Sequence, residues 1–200
     1  MSTLDQHNLY ELDILKQVEQ SPHLSNRMAA RKLGVSVKLA HQILKRMVKK
    51  GVLHVTEVNS RRWDYFLTPK GIAEKTRLTM EFLDFSMRFY REARRRSAEL
   101  CRDLAGYGKR NIAFLGSGEL AEIVYLGVQE WELKLAAVYD DEGPERFMHV
   151  PVEPVSELAA SQHDAVIVCL YDSREPMGEH YLPAAIEKQP YMRWIFKTRT

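Results

Sequence analysis

Residues 25–68, SNRMAARKLGVSVKLAHQILKRMVKKGVLHVTEVNSRRWDYFLT, decide the fold of the first part of this 200-residue chain. Ser25 to Leu33 predicts a short helix, because the Ser25 hydroxyl can accept from backbone N–H groups that the first helical turn leaves unpaired. Gly34 supplies a tight turn and Ser36 caps a second helix, which Gly51 closes. In that second helix Ala40, Leu44 and Met47 fall at i, i+4 and i+7 and form the stripe expected to be buried. Val37, Lys38, His41, Gln42 and Lys45 then point outward. Two alternating runs follow, Val52 to Val58 and Trp63 to Thr68, joined by the polar turn Asn59-Ser60-Arg61-Arg62.

Upstream, Leu9 to Glu19 has apolar residues at helical spacing, and Leu12, Leu15 and Val18 are expected to pack on the helix pair. Helix, turn, helix and a hairpin with a basic tip is the order of a winged helix-turn-helix, an α+β domain whose usual ligand is double-stranded DNA. In such a domain the Ser36–Lys50 helix enters the major groove with Val37, Lys38, His41 and Gln42 near base edges. Gln42 suits adenine and Val37 a thymine methyl group. Ser36, Lys45 and Arg46 are expected on phosphates, where they position without reading sequence, and Arg61 and Arg62 on the flanking minor groove or backbone.

Charge divides the chain. Residues 1–110 hold 22 lysines and arginines against 12 acids, whereas residues 111–200 hold 7 against 15. The basic part suits a polyanion, since each neutralised phosphate releases counterions. The acidic part would repel DNA and is expected to serve another partner. Cys101 and Cys169 are too few for a disulfide framework or a zinc site. Met1 to Asn8 is largely polar, and no apolar run approaches the ~20 residues of a membrane span. These features lead to the expectation of a soluble, cytoplasmic protein with no membrane partner.

Thr68-Pro69 is a strong helix start, a capping hydroxyl followed by proline at the first helical position. From there to about Leu104 the helix is interrupted by nothing but Gly71. Leu78, Phe82, Phe85 and Phe89 form one stripe, with Leu83, Tyr90 and Ala93 beside it. So much apolar surface points to a homodimer through the 69–104 helix, or to cover by the acidic part of the same chain. Arg94-Arg95-Arg96 is read as a solvated charged face. The expected division is a DNA-binding domain over 1–68, a linker helix over 69–110 and a third part over 111–200.

That third part reads as strand, glycine turn, helix, strand. Asn111 to Leu115 is a short apolar strand, Glu119 to Trp131 a helix, Leu133 to Tyr139 a second strand and Asp164 to Leu170 a third. A helix near Tyr181 to Lys188 leads to a last strand, Met192 to Lys197. The order implies a small α/β Rossmann-like domain with a parallel sheet of about four strands. Gly116-x-Gly118-x-x-Ala121 matches the three small positions of a dinucleotide fingerprint. Gly116, Ser117, Gly118 and Glu119 would present helix N–H groups to an anion, and Asp140 lies where a carboxylate meets a ribose diol. Glu119, Glu122 and Asp140-Asp141-Glu142 place negative charge around the same turn, so a domain that keeps the turn for packing is the alternative. No serine or cysteine sits in an activating motif, and His149, His163 and His180 lack ligand spacing, so neither catalysis nor a metal is expected.

On these motifs residues 9 to about 90 resemble the MarR-type winged-helix repressors, and the run LTPKGIAEKTRL is similar to the branch associated with exopolysaccharide gene clusters. The acidic part, with its glycine turn, AAVYDDEG and HVPVEPVSEL, resembles the Rossmann-like domains of Rex redox-sensing repressors and of sialic-acid-type sugar acyltransferases. These resemblances imply a bacterial transcriptional regulator, with NAD(H) or a nucleotide-sugar as ligand. A nucleotide-sugar-modifying enzyme with an accessory winged domain is the competing expectation, and a protein-interaction module a third.

Overall fold

A computed structural model describes residues 6–21, 23–59, 62–158, 162–170 and 190–196. The described chain divides into two compact units, residues 1–87 and 88–200, and the division falls inside one helix.

The first unit begins with α1 (Gln6–Gln20), whose buried face is Glu11, Leu12, Ile14, Leu15 and Val18. α2 (Asn26–Leu33) is capped by Ser25, whose hydroxyl accepts from the Met28 amide, and ends on Gly34 at φ 63°. α3 (Val37–Lys49) is capped in the same way by Ser36, which accepts from the Leu39 amide. Both caps fall at the serines that the sequence marked, because a short oxygen-bearing side chain in an extended backbone reaches the third amide ahead. α3 buries Ala40, Ile43, Leu44 and Met47, so the apolar stripe is one residue wider than expected. β1 (Leu53–Asn59) and β2 (Arg62–Leu67) pair antiparallel, with an irregularity between Glu57 and Asn59.

α4 (Pro69–Gly106) starts at the expected proline. The Thr68 hydroxyl accepts from the Gly71 amide at 3.0 Å and donates to the Gly51 carbonyl at 2.6 Å, so one side chain ties the start of α4 to the end of α3. Gly71 is not a blemish in this helix. A Cβ at that position would stand 2.0 Å from the Val52 carbonyl oxygen, which is closer than any contact allows.

The expected dimer stripe is divided by the fold. Leu78 is buried in the first unit's core. Phe89 and Ala93 are buried in the second unit's core, where Cys101 and Leu104 of the same helix join them. Phe82, Leu83 and Tyr90 of that surface instead remain exposed, together with Met80 and Met87. The sequence reading grouped these residues because they recur at helical spacing, and a 38-residue helix shared by two units buries the two ends of that stripe in two different cores.

In the second unit α4 contributes residues 88–106. Among the described residues a sheet of six strands follows, in the order β5-β6-β4-β3-β7-β8. Its strands are β3 (Asn111–Leu115), β4 (Lys134–Tyr139), β5 (Arg146–Phe147), β6 (Val150–Glu153), β7 (Ala165–Val168) and β8 (Met192–Trp194). β3 pairs parallel with β4 and β7, β4 with β6, and β7 with β8, whereas β5 runs antiparallel to β6. The sheet is therefore mixed and two strands larger than the four expected. Its extra strands were missed because a two-residue and a four-residue strand carry too little periodicity to register. The helix expected near Tyr181 to Lys188 lies outside the described residues, as does the end of the last strand at Lys197.

From Ile112 to Leu115 β3 is apolar and buried because both its faces are covered. Ile112 and Phe114 face the core shared with α4 and α5 (Glu119–Glu130), while Ala113 and Leu115 face Tyr139, Val166, Val168 and Met192. α5 approaches α4 closely at Gly127, where a Cβ would meet the Ser97 hydroxyl at 2.6 Å, and that hydroxyl donates to the Val124 carbonyl. Cys101 and Cys169 are buried in this core. Burial pushes the Cys101 thiol up to about 11 and the Cys169 thiol well above its ordinary value, so both act as small apolar residues.

Gly71→Ala is expected to destabilise the protein by about 1–3 kcal/mol, the usual cost of overpacking, although alanine is the better helix former. Urea unfolding followed by circular dichroism measures it, and an unchanged or raised midpoint would contradict the close contact.

Candidate nucleic-acid interface

α3 turns an inner and an outer face apart with little ambiguity. Its inner residues sit in the core of the first unit, and Val37, Lys38, His41, Gln42 and Lys45 are all exposed. Ser36 is exposed as well, its hydroxyl engaged in the cap. Asn26 of α2 donates its side-chain amide toward His41 Nδ1 at 3.2 Å, which ties the two helices on the outward side.

Arg46 stands apart from this group. Its guanidinium lies 3.0 Å from Glu11, a carboxylate that is 2 % exposed, and Lys50 donates to both oxygens of the same carboxylate at 2.9 and 3.1 Å. The triad anchors the C-terminal half of α3 to α1. A buried carboxylate is tolerated when cations hold both its oxygens, and removing it costs less here than in a sealed site, because Arg46 and Lys50 both reach solvent. Glu11 sits at i relative to Ile14, Leu15 and Val18, so its burial was legible from helical spacing, but its partners were not. The Lys70 ammonium adds a bond to the Lys50 carbonyl at 2.8 Å, where a cation suits the negative end of α3.

At the wing, Arg62 opens β2 and pairs with Asn59 across the hairpin. Arg61 lies outside the described residues. Two residues not singled out in the sequence are prominent beside or on the wing. His23, in the segment between α1 and α2, sits 2.8 Å from the buried Asp64 of β2, and Trp63 is half exposed. A groove of ≈ 1070 Å³ opens between α3 and the wing, with Arg27, Val37, His41, Lys45 and Trp63 in its walls.

Arg94, Arg95 and Arg96 belong to the second unit and are held by carboxylates. Arg94 pairs with Glu130, Arg95 with Glu92 and Glu99, and Arg96 with Glu92. Arg96 also lies over the Phe196 ring, which stacks on Phe89.

The glycine turn follows β3. Gly116 has φ 100°, and a Cβ there would press on the backbone of Cys169 at 3.0 Å, so the fold itself requires glycine at this position. Gly118 differs. Its φ is −81° and a Cβ would meet nothing within 4 Å. It forms the N-cap of α5 with no side-chain hydrogen bond, and its carbonyl accepts from the Ala121 amide at 2.9 Å and the Glu122 amide at 3.3 Å. Glu119 and Glu122 are exposed on that first turn. Asp140 is not left pointing outward from its strand end. Its Oδ2 accepts from the Ser117 amide at 2.9 Å and from the Ser117 hydroxyl at 2.6 Å, and its Oδ1 from the Glu142 amide at 3.1 Å. Gly143 makes room for this clasp, since a Cβ there would stand 2.3 Å from the Ser117 hydroxyl.

Burial alone would push the Asp140 carboxyl up. The Ser117 hydroxyl and the two amides outweigh it and hold the group below the ordinary 3.8. A depressed carboxyl stabilises the fold above its unfolded pKa and loses that contribution as pH falls through the folded value. Asp140→Asn should therefore melt below the parent at pH 7, with the gap closing as pH is lowered past 3.8. Thermal melts across this range test it, and a gap that persists at strongly acid pH would assign the loss to shape rather than charge.

Among the described residues no helix is long and apolar enough to cross a membrane, and no three of His, Cys, Asp and Glu converge as a metal site. Residues 8–54 match the family model for winged helix-turn-helix DNA-binding domains. No curated protein matches the chain. Among solved structures, the chain is similar to MepR, a transcription regulator of the Staphylococcus aureus multidrug efflux pump MepA, at 19% identity over 43% of this chain and 62% of that one, with a TM-score of 0.36. It is similar at 24% identity to a MarR family protein of Mycobacterium tuberculosis complexed with salicylic acid, over 40% of this chain and 61% of that one, with a TM-score of 0.36. The PcaV transcriptional regulator of Streptomyces coelicolor, complexed with its natural ligand, matches at 21% over 44% and 60%, with a TM-score of 0.37. The chain thus spans about six tenths of the length of these solved chains. The family match and the observed helix-turn-helix with its β1–β2 hairpin agree that the first unit contains a winged helix-turn-helix domain.

Proposed function

We propose that this protein is a MarR-like DNA-binding transcriptional regulator that works as a homodimer and is not an enzyme, its Rossmann-like second unit sensing a nucleotide-type ligand. One observation carries the DNA-binding part. The outer face of α3 gathers a methyl-bearing, an amide and three basic or imidazole side chains, all exposed, on a helix whose inner face is locked into the core. Lys38, His41 and Gln42 contact base edges and Val37 a thymine methyl, while Ser36 and Lys45 hold phosphates. Arg61 and Arg62 reach the minor groove or backbone. Arg46 serves the interface through Glu11, fixing the helix rather than donating freely to phosphate.

The dimer is supported by Met80, Leu83 and Met87, which follow one another at i, i+3 and i+7 and remain about half exposed on α4. That spacing is the seam of a helix pair. The ligand is supported by Gly118. The fold makes no steric or conformational demand for glycine there, whereas a phosphate approaching the start of α5 does. NAD(H) or a nucleotide-sugar meets this requirement, with Gly116, Ser117, Gly118 and Glu119 around the phosphates and Asp140 toward the ribose. The ligand shifts DNA affinity if it binds two arrangements of the dimer unequally.

Selection from a randomised duplex pool, followed by anisotropy titration, should enrich a roughly palindromic site. The Lys38→Ala/Gln42→Ala double variant should bind that site no better than random duplex, and Arg61→Ala/Arg62→Ala should weaken all duplexes and flatten the salt dependence. Parent protein with no duplex affinity would end the DNA-binding reading. In sedimentation, Leu83→Asp should shift the dimer to monomer, and an unchanged dimer would place the contact elsewhere. In thermal-shift titrations with NAD(H) and nucleotide-sugars, Gly118→Ala should melt like the parent but lose the ligand's stabilisation. A shift that Gly118→Ala retains would remove the turn from the site.

A further inference from the structure

We infer that the groove between α3 and the wing seats the sugar–phosphate backbone of one DNA strand, with the Trp63 indole packed against deoxyribose and Arg27 and Lys45 on the adjoining phosphates. This rests on the DNA-binding reading above and adds to it two residues, Trp63 and Arg27, and a third surface between helix and wing.

Several observations lead here. Trp63 is 49 % exposed on β2, although tryptophan has more apolar area to hide than any other side chain. It does not stand alone on an open surface. Its groove also takes in Val37 and His41 from the outer face of α3 and Lys45 one turn further along. The groove therefore shares a wall with the face that meets base edges, so a strand whose bases lie against α3 has its backbone in the groove. The ≈ 1070 Å³ groove has room for a run of sugar–phosphate chain.

Charge selects the occupant. Arg27 and Lys45 are exposed cations of the lining, and His23 and His41 add imidazoles. Asp64, the one acid among the described lining residues, is buried and bonded to His23, so its charge is turned into the protein. Glu57 stands across the strand pair from Trp63 but is not part of the lining. An apolar plane flanked by cations fits a polyanion whose sugars are apolar on one side, and it suits neither an acidic-cation pair nor a purely aliphatic partner. Contacts of this kind position a duplex without reading it.

Salt-dependent anisotropy titrations of the full-length protein on its selected duplex and on a random duplex separate this role from base reading. Trp63→Ala should weaken both duplexes by the same five- to ten-fold while leaving the slope of log affinity against log salt unchanged, because an indole releases no counterion. Trp63→Phe should recover most of the loss. Arg27→Ala should weaken both and lower the slope by about one. Circular dichroism melts establish that each variant is folded, and Arg27→Ala carries the test if Trp63→Ala is not. Trp63→Ala and Arg27→Ala within two-fold of the parent, while Lys38→Ala/Gln42→Ala abolishes discrimination, would overturn the groove assignment and leave the DNA-binding reading intact. A loss confined to the selected duplex would make Trp63 a base reader and also overturn it. Absence of duplex binding by the parent would remove both.

Discussion

A buried carboxylate controls the presentation of α3. Glu11 lies inside the first unit, where Arg46 and Lys50 hold it from α3. Rotating α3 about its axis would strand that charge, which is far more costly than losing a surface ion pair. The apolar stripe of Ala40, Ile43, Leu44 and Met47 gives the helix an inside, and apolar contact alone tolerates some slippage. Together the stripe and the triad define which residues are left outside. Every side chain assigned to base edges in the proposed function is therefore exposed as a consequence of what the helix does on its other face.

The same economy of contacts governs α4. Its first turns press so closely on the end of α3 that glycine is required at 71, and Thr68 caps it while bonding the residue that closes α3. Further along, Leu78 is spent on the first core and Phe89, Ala93, Cys101 and Leu104 on the second. What remains exposed includes Met80, Phe82, Leu83, Met87 and Tyr90, so part of the surface that the spacing suggested stays open. Periodicity says which residues share a face and not which core that face enters, so the two ends of the stripe entered two cores while Phe82 stayed exposed.

The glycine turn separates two reasons for glycine that look identical in a motif. Gly116 is demanded by a left-handed backbone pressed against the end of β7, Gly143 by the Ser117–Asp140 clasp, and Gly118 by neither. A fingerprint with two glycines and an acid 22 residues on is thus part architecture and part opportunity. Asp140, placed by the sequence at a ribose, spends one oxygen on the turn itself, and any sugar that reaches it shares an acceptor already in use.

The sequence by itself determined the local elements. Serine caps at 25 and 36, glycine at 34, Thr68-Pro69 and the alternation on either side of the wing act within a few residues, and such short-range signals survive without knowledge of the rest of the chain. The outward set Val37, Lys38, His41, Gln42 and Lys45 was legible for the same reason, since helical geometry converts spacing into faces. The tertiary structure alone decided the partners. Arg46 meets Glu11 across 35 positions, His23 meets Asp64 across 41, and Trp63 shares a groove with α3, although nothing local links them. The short strands β5 and β6 belong with these, because so few residues hold an edge through the pairing of β6 with β4 and of β5 with β6, and not through any propensity of their own. Contacts between distant residues depend on how elements pack, and a pattern read along the chain carries no record of it.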